Sequence, residues 1–431
     1  MELKQPKGTK DFLPEKQIQK QEIIEKIKKV FELNGYSPIE TPVFERFEVL
    51  SSKYAGGEEI LKETFSFEDQ GKRKLGLKYD LTVPLARVIA MNPNTRMPFK
   101  RYQIERVFRD GPTTTARYRE FYQCDADIVG CNSMKADTEI IKIAKEVFEE
   151  IGLEAEIRVN NRKLLNGLMD EIGIEKEKKI PVLMAIDKLD KQPKKEIEKE
   201  LKEKGIDQKK IKEIFDLIEL KGNNSEILKK IEKKVSTEEG KTGIKELKEI
   251  LELSEAYKIK NLYITVSLVR GLAYYTGPIF EILLKKGKIK SSVGGGGRYD
   301  EMIGLIAGKE KQFPAVGISF GLDRILDELN KKETETKKTV TEIFVIPVNS
   351  DKNAIELTEK IRGIGIKTEI DLIGRSISKN LDFASKQGIP FVIVLGEKEL
   401  KAKEFSLKNM QTGKEIKVKF SELEKLKAVL K

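Results

Sequence analysis

The 431-residue sequence predicts an α+β protein: an antiparallel-sheet domain interrupted by a helical insertion, followed by a smaller α/β domain. Three observations predict it. Aromatic and β-branched residues alternate with charges in two separated stretches, before about residue 160 and after about 256. Between them, residues 161–255 are Lys/Glu-rich, poor in aromatics and patterned for helices, as in "PKKEIEKELKEKGIDQKKIKEIFDLIEL". After a polar linker over 331–340, strand-like and helix-like segments alternate through 341–431. A chain of this length divides into two or three domains, each able to bury its own core.

In chain order, Ile18, Ile23, Ile24, Ile27, Val30 and Phe31 recur at helical spacing between Glu15 and Leu33, and Asn34-Gly35 supplies the stop. Pro38 and Pro42 then exclude a helix, while Ile39, Val43 and Phe44 favour an extended strand. "LGLKYDLTVPLARVIA" and "FKRYQIERVFRDGPTTTARYREFYQCDADIVG" read as strands and loops, the second as an antiparallel hairpin closed by a basic Gly-Pro-Thr-rich turn. This first part of the sheet domain covers 1–160, and the helical insertion covers 161–255. The second part, 256–330, opens with "NLYITVSLVRGLAYYTGPIFEILL", in which a strand would form a platform for Arg270, Tyr274 and Tyr275. "KIKSSVGGGGRYDEMIGLI" reads as a glycine-rich turn and "PAVGISFGLDRILDELN" as strand and helix. In 341–431, "EIFVIPV", "NAIELTEKIRGIG", "KTEIDL", "SISKNLDFASKQG" and "FVIVLG" predict a compact three-layer domain.

Lys+Arg 82 against Asp+Glu 71 gives a net charge of +11 and a pI near 9.1, which favours an anionic partner. The same enrichment also suits a heat-robust surface, so charge alone leaves both readings open. Cys124 and Cys131 are too few for a disulfide scaffold and lack zinc spacing, so a reducing cytoplasm is the expected setting. No apolar signal core opens the chain, and no segment approaches the ~18 apolar residues of a membrane span. Histidine is absent, which excludes the usual general base, a Ser-His-Asp relay and histidine-ligated metals.

Arg109, Arg117, Arg270 and Arg324 stand beside turns or at helix starts. A guanidinium's planar fork suits phosphate, so convergent arginines suggest a polyphosphate; singly, each is an ordinary surface ion pair. "SVGGGGRYD" matches neither dinucleotide-binding nor P-loop spacing, leaving either a backbone close to a ligand or a flexible turn. "YDLT" and "QCDAD" place Asp80, Thr82, Gln123 and Asp127 at strand-like spacing, where they could hold an ammonium or serve as caps.

Over nearly the whole chain these blocks resemble the histidyl-tRNA synthetases, a class II aminoacyl-tRNA synthetase family. The resemblance is carried by "KGTKDFLP", "KYDLTVPLAR", "ARYREFYQCDADIVG", "LVRGLAYYTG", "VGGGGRYD" and "GISFGLDRI", and in the last domain by "GRSISKNLDFASKQGIPFVIVLGEKEL". It implies a class II catalytic sheet, an anticodon-binding C-terminal domain, and a ligase that uses ATP, with Mg²⁺ expected and no metal ligand assigned. It also implies tRNA(His) as partner and a homodimer formed through the first helix and the strand near Pro42. The family pattern places Arg109 on the α-phosphate of ATP, Arg324 on the distal phosphates, Arg117 in the same ATP site, and Arg270 between carboxylate and α-phosphate. Asp80, Thr82 and Gln123 would surround the α-amino group, with Asp127 and Tyr275 at the imidazole and Tyr274 alongside. A buried carboxylate and phenol left unpaired by any other side chain discriminate by ~10⁴ or more. The alternative is a non-catalytic regulatory paralogue of histidine biosynthesis, a class that generally lacks the anticodon-binding domain. Two departures stand out: Ala273 replaces the family's usual aspartate, and Gly111 occupies the place of an acidic residue after Arg109.

Overall fold

The expected hairpin is the centre of the larger sheet: Phe99–Phe108 and Glu120–Val129 pair antiparallel, from Phe99 opposite Val129 to Phe108 opposite Glu120. This computed structural model describes residues 2–51, 61–114, 117–190, 192–270, 274–287, 289–308, 312–329 and 337–430. Two compact units emerge, Met1–Lys10 with Ile23–Lys332, and Asp11–Glu22 with Glu333–Lys431.

In the first unit, eight strands run in the order Ser37–Pro38, Phe99–Phe108, Glu120–Val129, Ala315–Gly321, Gly294–Arg298, Pro278–Leu284, Ala155–Asn161, Leu262–Ile264. The interior pairs are antiparallel, and Ser37–Pro38 and Leu262–Ile264 join the two edges in parallel. Because side chains alternate along a strand, register alone sorts the two faces. One face is apolar and buried: Cys124, Ala126, Ile128, Ile318, Phe320, Phe280 and Ile282. Phe320 packs there against Phe148 at 5.9 Å and Phe31 at 6.2 Å between ring centroids, each such side chain contributing roughly 2–3 kcal/mol on burial. Phe148 comes from the helix Met134–Ile151, which Ser133 caps by accepting from Lys135 N and Gly152 ends at φ 82°. The opposite face carries Arg101, Gln103, Gln123, Asp125, Asp127, Ser319 and Glu281, with glycines between them.

Three local expectations are corrected. "GGGGR" is a strand, Gly294–Arg298, with Gly294 to Gly297 paired on both sides, and not a turn. Glycine's weak strand preference is overridden by side chains lying across this floor. A Cβ on Gly295 would run into the Arg270 guanidinium, one on Gly317 into the Asp127 carboxylate, and one on Gly297 would stand 2.8 Å from the Tyr275 ring. Second, "SLVRGLAYYTGPIFEI" is not one continuous strand: pairing starts at Pro278. Arg270 has φ 60°, the left-handed region that interrupts an extended run, so the arginine and the tyrosines reach the floor from a loop. Gly271, Leu272 and Ala273 lie outside the described residues. Third, "YDLT" is a helix start: Asp80 Oδ1 accepts from Thr82 N at 3.1 Å and Val83 N at 3.0 Å, capping the helix Thr82–Met91.

Between Ala155–Asn161 and Leu262–Ile264 the chain is helical, in segments from Arg162–Glu171 to Glu238–Ala256. Gly243 lets these two helices close, since a Cβ there would come within 2.5 Å of Leu164 N. In the second unit a five-stranded sheet runs Thr368–Ile370, Ile343–Pro347, Phe391–Leu395, Glu404–Asn409, Glu415–Lys419. The first three strands are parallel, as the alternating pattern predicts; the last two add an antiparallel hairpin beyond it. No helix among the described residues is long and apolar enough to cross a membrane.

Candidate active site

Four guanidinium groups converge on the polar face of the larger sheet. Arg109 follows the first hairpin strand; its guanidinium lies over the Tyr79 ring at 4.2 Å and 5.1 Å from the Phe121 ring, and Nε donates to Tyr79 O at 3.3 Å. Arg117 pairs through Nη2 with Glu63 Oε1 at 2.6 Å. Glu63 also accepts from Tyr79 OH at 3.2 Å, and its carbonyl accepts from Asp110 N at 2.7 Å. Glu63 therefore supplies a carboxylate at this turn, whereas Asp110 pairs with Arg119 at 3.2 Å. Arg324, on the helix Leu322–Leu329, donates from Nη1 to Ser292 O at 2.5 Å. Burial lowers the Arg324 pKa, and the positive charges of Arg109, Arg117 and Arg270 lower it further. That mutual repulsion is what a polyanion relieves. Arg270 Nη1 stands 3.9 Å from Glu281 Oε1, a loose pair that leaves the guanidinium over Gly295.

The acidic end of the same face is built from Asp127. Its Oδ2 lies 2.7 Å from Arg101 Nη2, and its Oδ1 accepts from Tyr299 OH at 2.5 Å. Arg101, at 0% exposure, also donates to Leu81 O at 3.2 Å, tying the capped helix start to the floor. Burial raises the pKa of both Asp127 and Asp80 despite the Arg101 charge near each. Tyr275 is buried; Tyr274 packs on it at 4.7 Å and stands 6.2 Å from Tyr299 between centroids. Burial holds the Tyr274 phenol well above its ordinary range, so it is a neutral hydrogen-bonding group at neutral pH. Gln123 donates from Nε2 to Ser319 Oγ at 2.9 Å.

The structure thus places Arg109, Arg117, Arg270 and Arg324 with Asp80, Gln123, Asp127, Tyr274 and Tyr275 in one unit at one face, and Thr82 adjoins them through its amide, which donates to Asp80. Arg101, Asp125, Ser319, Tyr299, Glu63 and Glu281 join them without having been singled out in the sequence. For Arg101 and Asp125 the signal was the two-residue alternation in "KRYQIE" and "YQCDAD", which becomes informative only once the strand register is known. No group of three or more carboxylates or cysteines arranged to hold a metal stands among the described residues.

Residues 8–325 match the family described as Histidyl-tRNA synthetase, and residues 342–428 match Anticodon binding domain. The chain is 42% identical to "Histidine--tRNA ligase 1" of Bacillus cereus over 98% of this chain and 97% of that protein. It is 38% identical to "Histidine--tRNA ligase" of Phocaeicola vulgatus, covering 97% of each chain. The solved histidyl-tRNA synthetase from Nostoc sp. PCC 7120 superposes with a TM-score of 0.86 at 29% identity, covering 100% of both chains. By sequence and by fold, the chain belongs to the histidyl-tRNA synthetase family, and it is an aminoacyl-tRNA synthetase of class II.

Proposed function

We propose that this protein activates histidine with ATP, giving histidyl-adenylate and pyrophosphate, and then esterifies the histidyl group to the 3′ end of tRNA(His). The observation that carries the reading is the division of charge across one sheet face: arginines at one end, carboxylates and phenols at the other, and Arg270 reaching the floor from its loop. Arg109 would bind the α-phosphate, Arg324 and Arg117 the distal phosphates, and Arg270 both the substrate carboxylate and the α-phosphate. Asp80, Thr82 and Gln123 would receive the α-ammonium, and Asp127 with Tyr275 the imidazole, packed beside Tyr274.

In the first step a carboxylate oxygen attacks the α-phosphorus in line, a P–O bond forms, and the bond to pyrophosphate breaks. The nucleophile is already ionised, so the residues supply position and positive charge and no general base is needed. The lack of histidine in the chain is therefore compatible with this chemistry. In the second step a ribose hydroxyl of the terminal tRNA nucleotide attacks the activated carbonyl and AMP leaves. Mg²⁺ is expected with the nucleotide as counter-ion to its phosphates; no side chain is assigned to it and no step is routed through it.

The proposed catalytic domain combines 1–160 with 256–330, around the insertion 161–255, and the domain at 341–431 would read the anticodon. A homodimer in the cytoplasm completes the proposal. A regulatory, non-catalytic role is not favoured, because the anticodon-binding match covers 342–428 and the arginines 109, 270 and 324 are in place. Charging of unfractionated tRNA tests the whole reading: labelled histidine is expected to be esterified to tRNA(His) alone. Stable charging with threonine, proline or glycine instead overturns it.

A further inference from the structure

We infer that Asp125 is a further substrate-binding carboxylate of this site, standing opposite the Ser319 that holds Gln123, and that it receives an N–H of the bound amino acid's α-ammonium group. The inference rests on the histidine-activating function proposed above.

Gln123, Asp125 and Asp127 alternate along one strand and face the same side of the sheet, with Ser319 directly opposite Asp125 and Gly317 opposite Asp127 on the neighbouring strand. Ser319 Oγ accepts from Gln123 Nε2 at 2.9 Å, and Ser319 stands directly opposite Asp125, where its hydroxyl favours the charged carboxylate. One hydroxyl thus holds Gln123 and stands beside Asp125. With the carboxamide nitrogen of Gln123 engaged there, Gln123 Oε1 is a buried acceptor to which no described residue donates. Asp125 Oδ1 is a second such acceptor, on a residue only 2% exposed.

Two buried acceptors without donors are costly unless something else supplies the N–H groups. An ammonium carries three donors and no acceptor, and its positive charge matches a carboxylate. Asp127 differs in charge: its Oδ2 also accepts no hydrogen bond from a described residue, but Arg101 pairs with it at 2.7 Å and Tyr299 donates to its Oδ1 at 2.5 Å. Arg101 is thus engaged with Asp127, and Asp125 has no ion pair of its own among the described residues. Burial, with the negative charges of Asp127 and Asp80, pushes the Asp125 carboxyl up to about 7 against the pull of Arg101 and the Ser319 hydroxyl. A carboxylate serving packing alone would have its oxygens satisfied by the protein. This one is prepared for a cation, and its link through Ser319 to Gln123 places that cation at the α-ammonium end.

The test is histidine-dependent pyrophosphate exchange by the full chain, comparing parent, Asp125→Asn and Ser319→Ala. Imidazolepropionate, which lacks the ammonium, serves as a competitive inhibitor. Truncating one partner of a buried charge pair predicts a rise in KM for histidine of about 30-fold or more in Asp125→Asn. Ser319→Ala is expected to raise it about tenfold, the cost of one lost orienting hydrogen bond. KM for ATP and inhibition by imidazolepropionate are expected to stay within about threefold of the parent. Parent-like KM for histidine in Asp125→Asn overturns the inference. So does an equal weakening of histidine and imidazolepropionate, which reassigns Asp125 to the imidazole, or a joint loss of ATP and histidine saturation, which makes its role structural. Absence of histidine-dependent exchange in the parent refutes the proposed function itself and is distinguished from these outcomes.

Discussion

Arg270 is the residue on which the proposed reaction most depends. It reaches the floor from a loop through a left-handed backbone and lies over Gly295, 3.9 Å from its nearest carboxylate oxygen. If it neutralises the reacting carboxylate and the α-phosphate, Arg270→Ala lowers the single-turnover rate of adenylate formation by about 10²–10³-fold. Arg270→Lys recovers little, because a point charge cannot bridge two anions as a fork does; charging near the parent rate in either variant removes Arg270 from the mechanism. Asp125 makes the opposite kind of prediction. Its pKa is raised from 3.8 to about 7, so the folded protein keeps a proton that the unfolded chain releases. Stability from this group is therefore present at low pH and is lost as pH rises from about 4 through 7, by up to about 4 kcal/mol. Asp125→Asn, measured by denaturant melts without substrates, is expected to match the parent at pH 4 and to exceed it at pH 8. A variant less stable than the parent at pH 8 contradicts this. A substitution that raises stability while weakening histidine binding is the mark of a residue kept for function.

At the scale of elements, the glycine strand Gly294–Arg298 shows where sequence reasoning stops. The helix Pro14–Leu33 and the hairpin strands were legible because their patterns are local: a 3.6-residue apolar period with an Asn-Gly stop, and two-residue alternation around a turn. "VGGGGR" has no such pattern, and its glycines answer to side chains arriving from distant positions: Arg270, Tyr275 and, across the sheet, Asp127 at Gly317. The same holds for Arg101, whose place beneath Asp127 is a fact of cross-strand register. Two neighbouring glycines separate the roles of this strand. Gly295→Ala puts a methyl into the Arg270 guanidinium and 2.8 Å from the Phe280 backbone carbonyl, so adenylate formation is expected to collapse while stability falls by about 1 kcal/mol. Gly296→Ala runs into the Gly317 backbone carbonyl, which cannot swing aside, so the sheet must shift at a cost of about 2 kcal/mol or more. Comparing melting curves with single-turnover rates for the two variants checks both; equal effects on stability would refute the division.

For the whole molecule, the +11 net charge and the anticodon-binding match bear on tRNA and not on the small substrates. KM for tRNA is expected to rise steeply between 50 and 200 mM salt, roughly as counterion release dictates, while KM for histidine in pyrophosphate exchange changes little. A flat salt response for tRNA would remove the electrostatic reading of the charge. A dimer mass in sedimentation is also expected, and a monomer that retains full activity contradicts the proposed assembly. The central claim is that one face of one sheet joins histidine to ATP, and amino-acid-dependent ATP–pyrophosphate exchange tests it most directly. With each of the twenty amino acids offered in turn, exchange is predicted for histidine alone, by a factor of ~10⁴ or more over the rest. Exchange driven as well by another amino acid, or by none, contradicts the account.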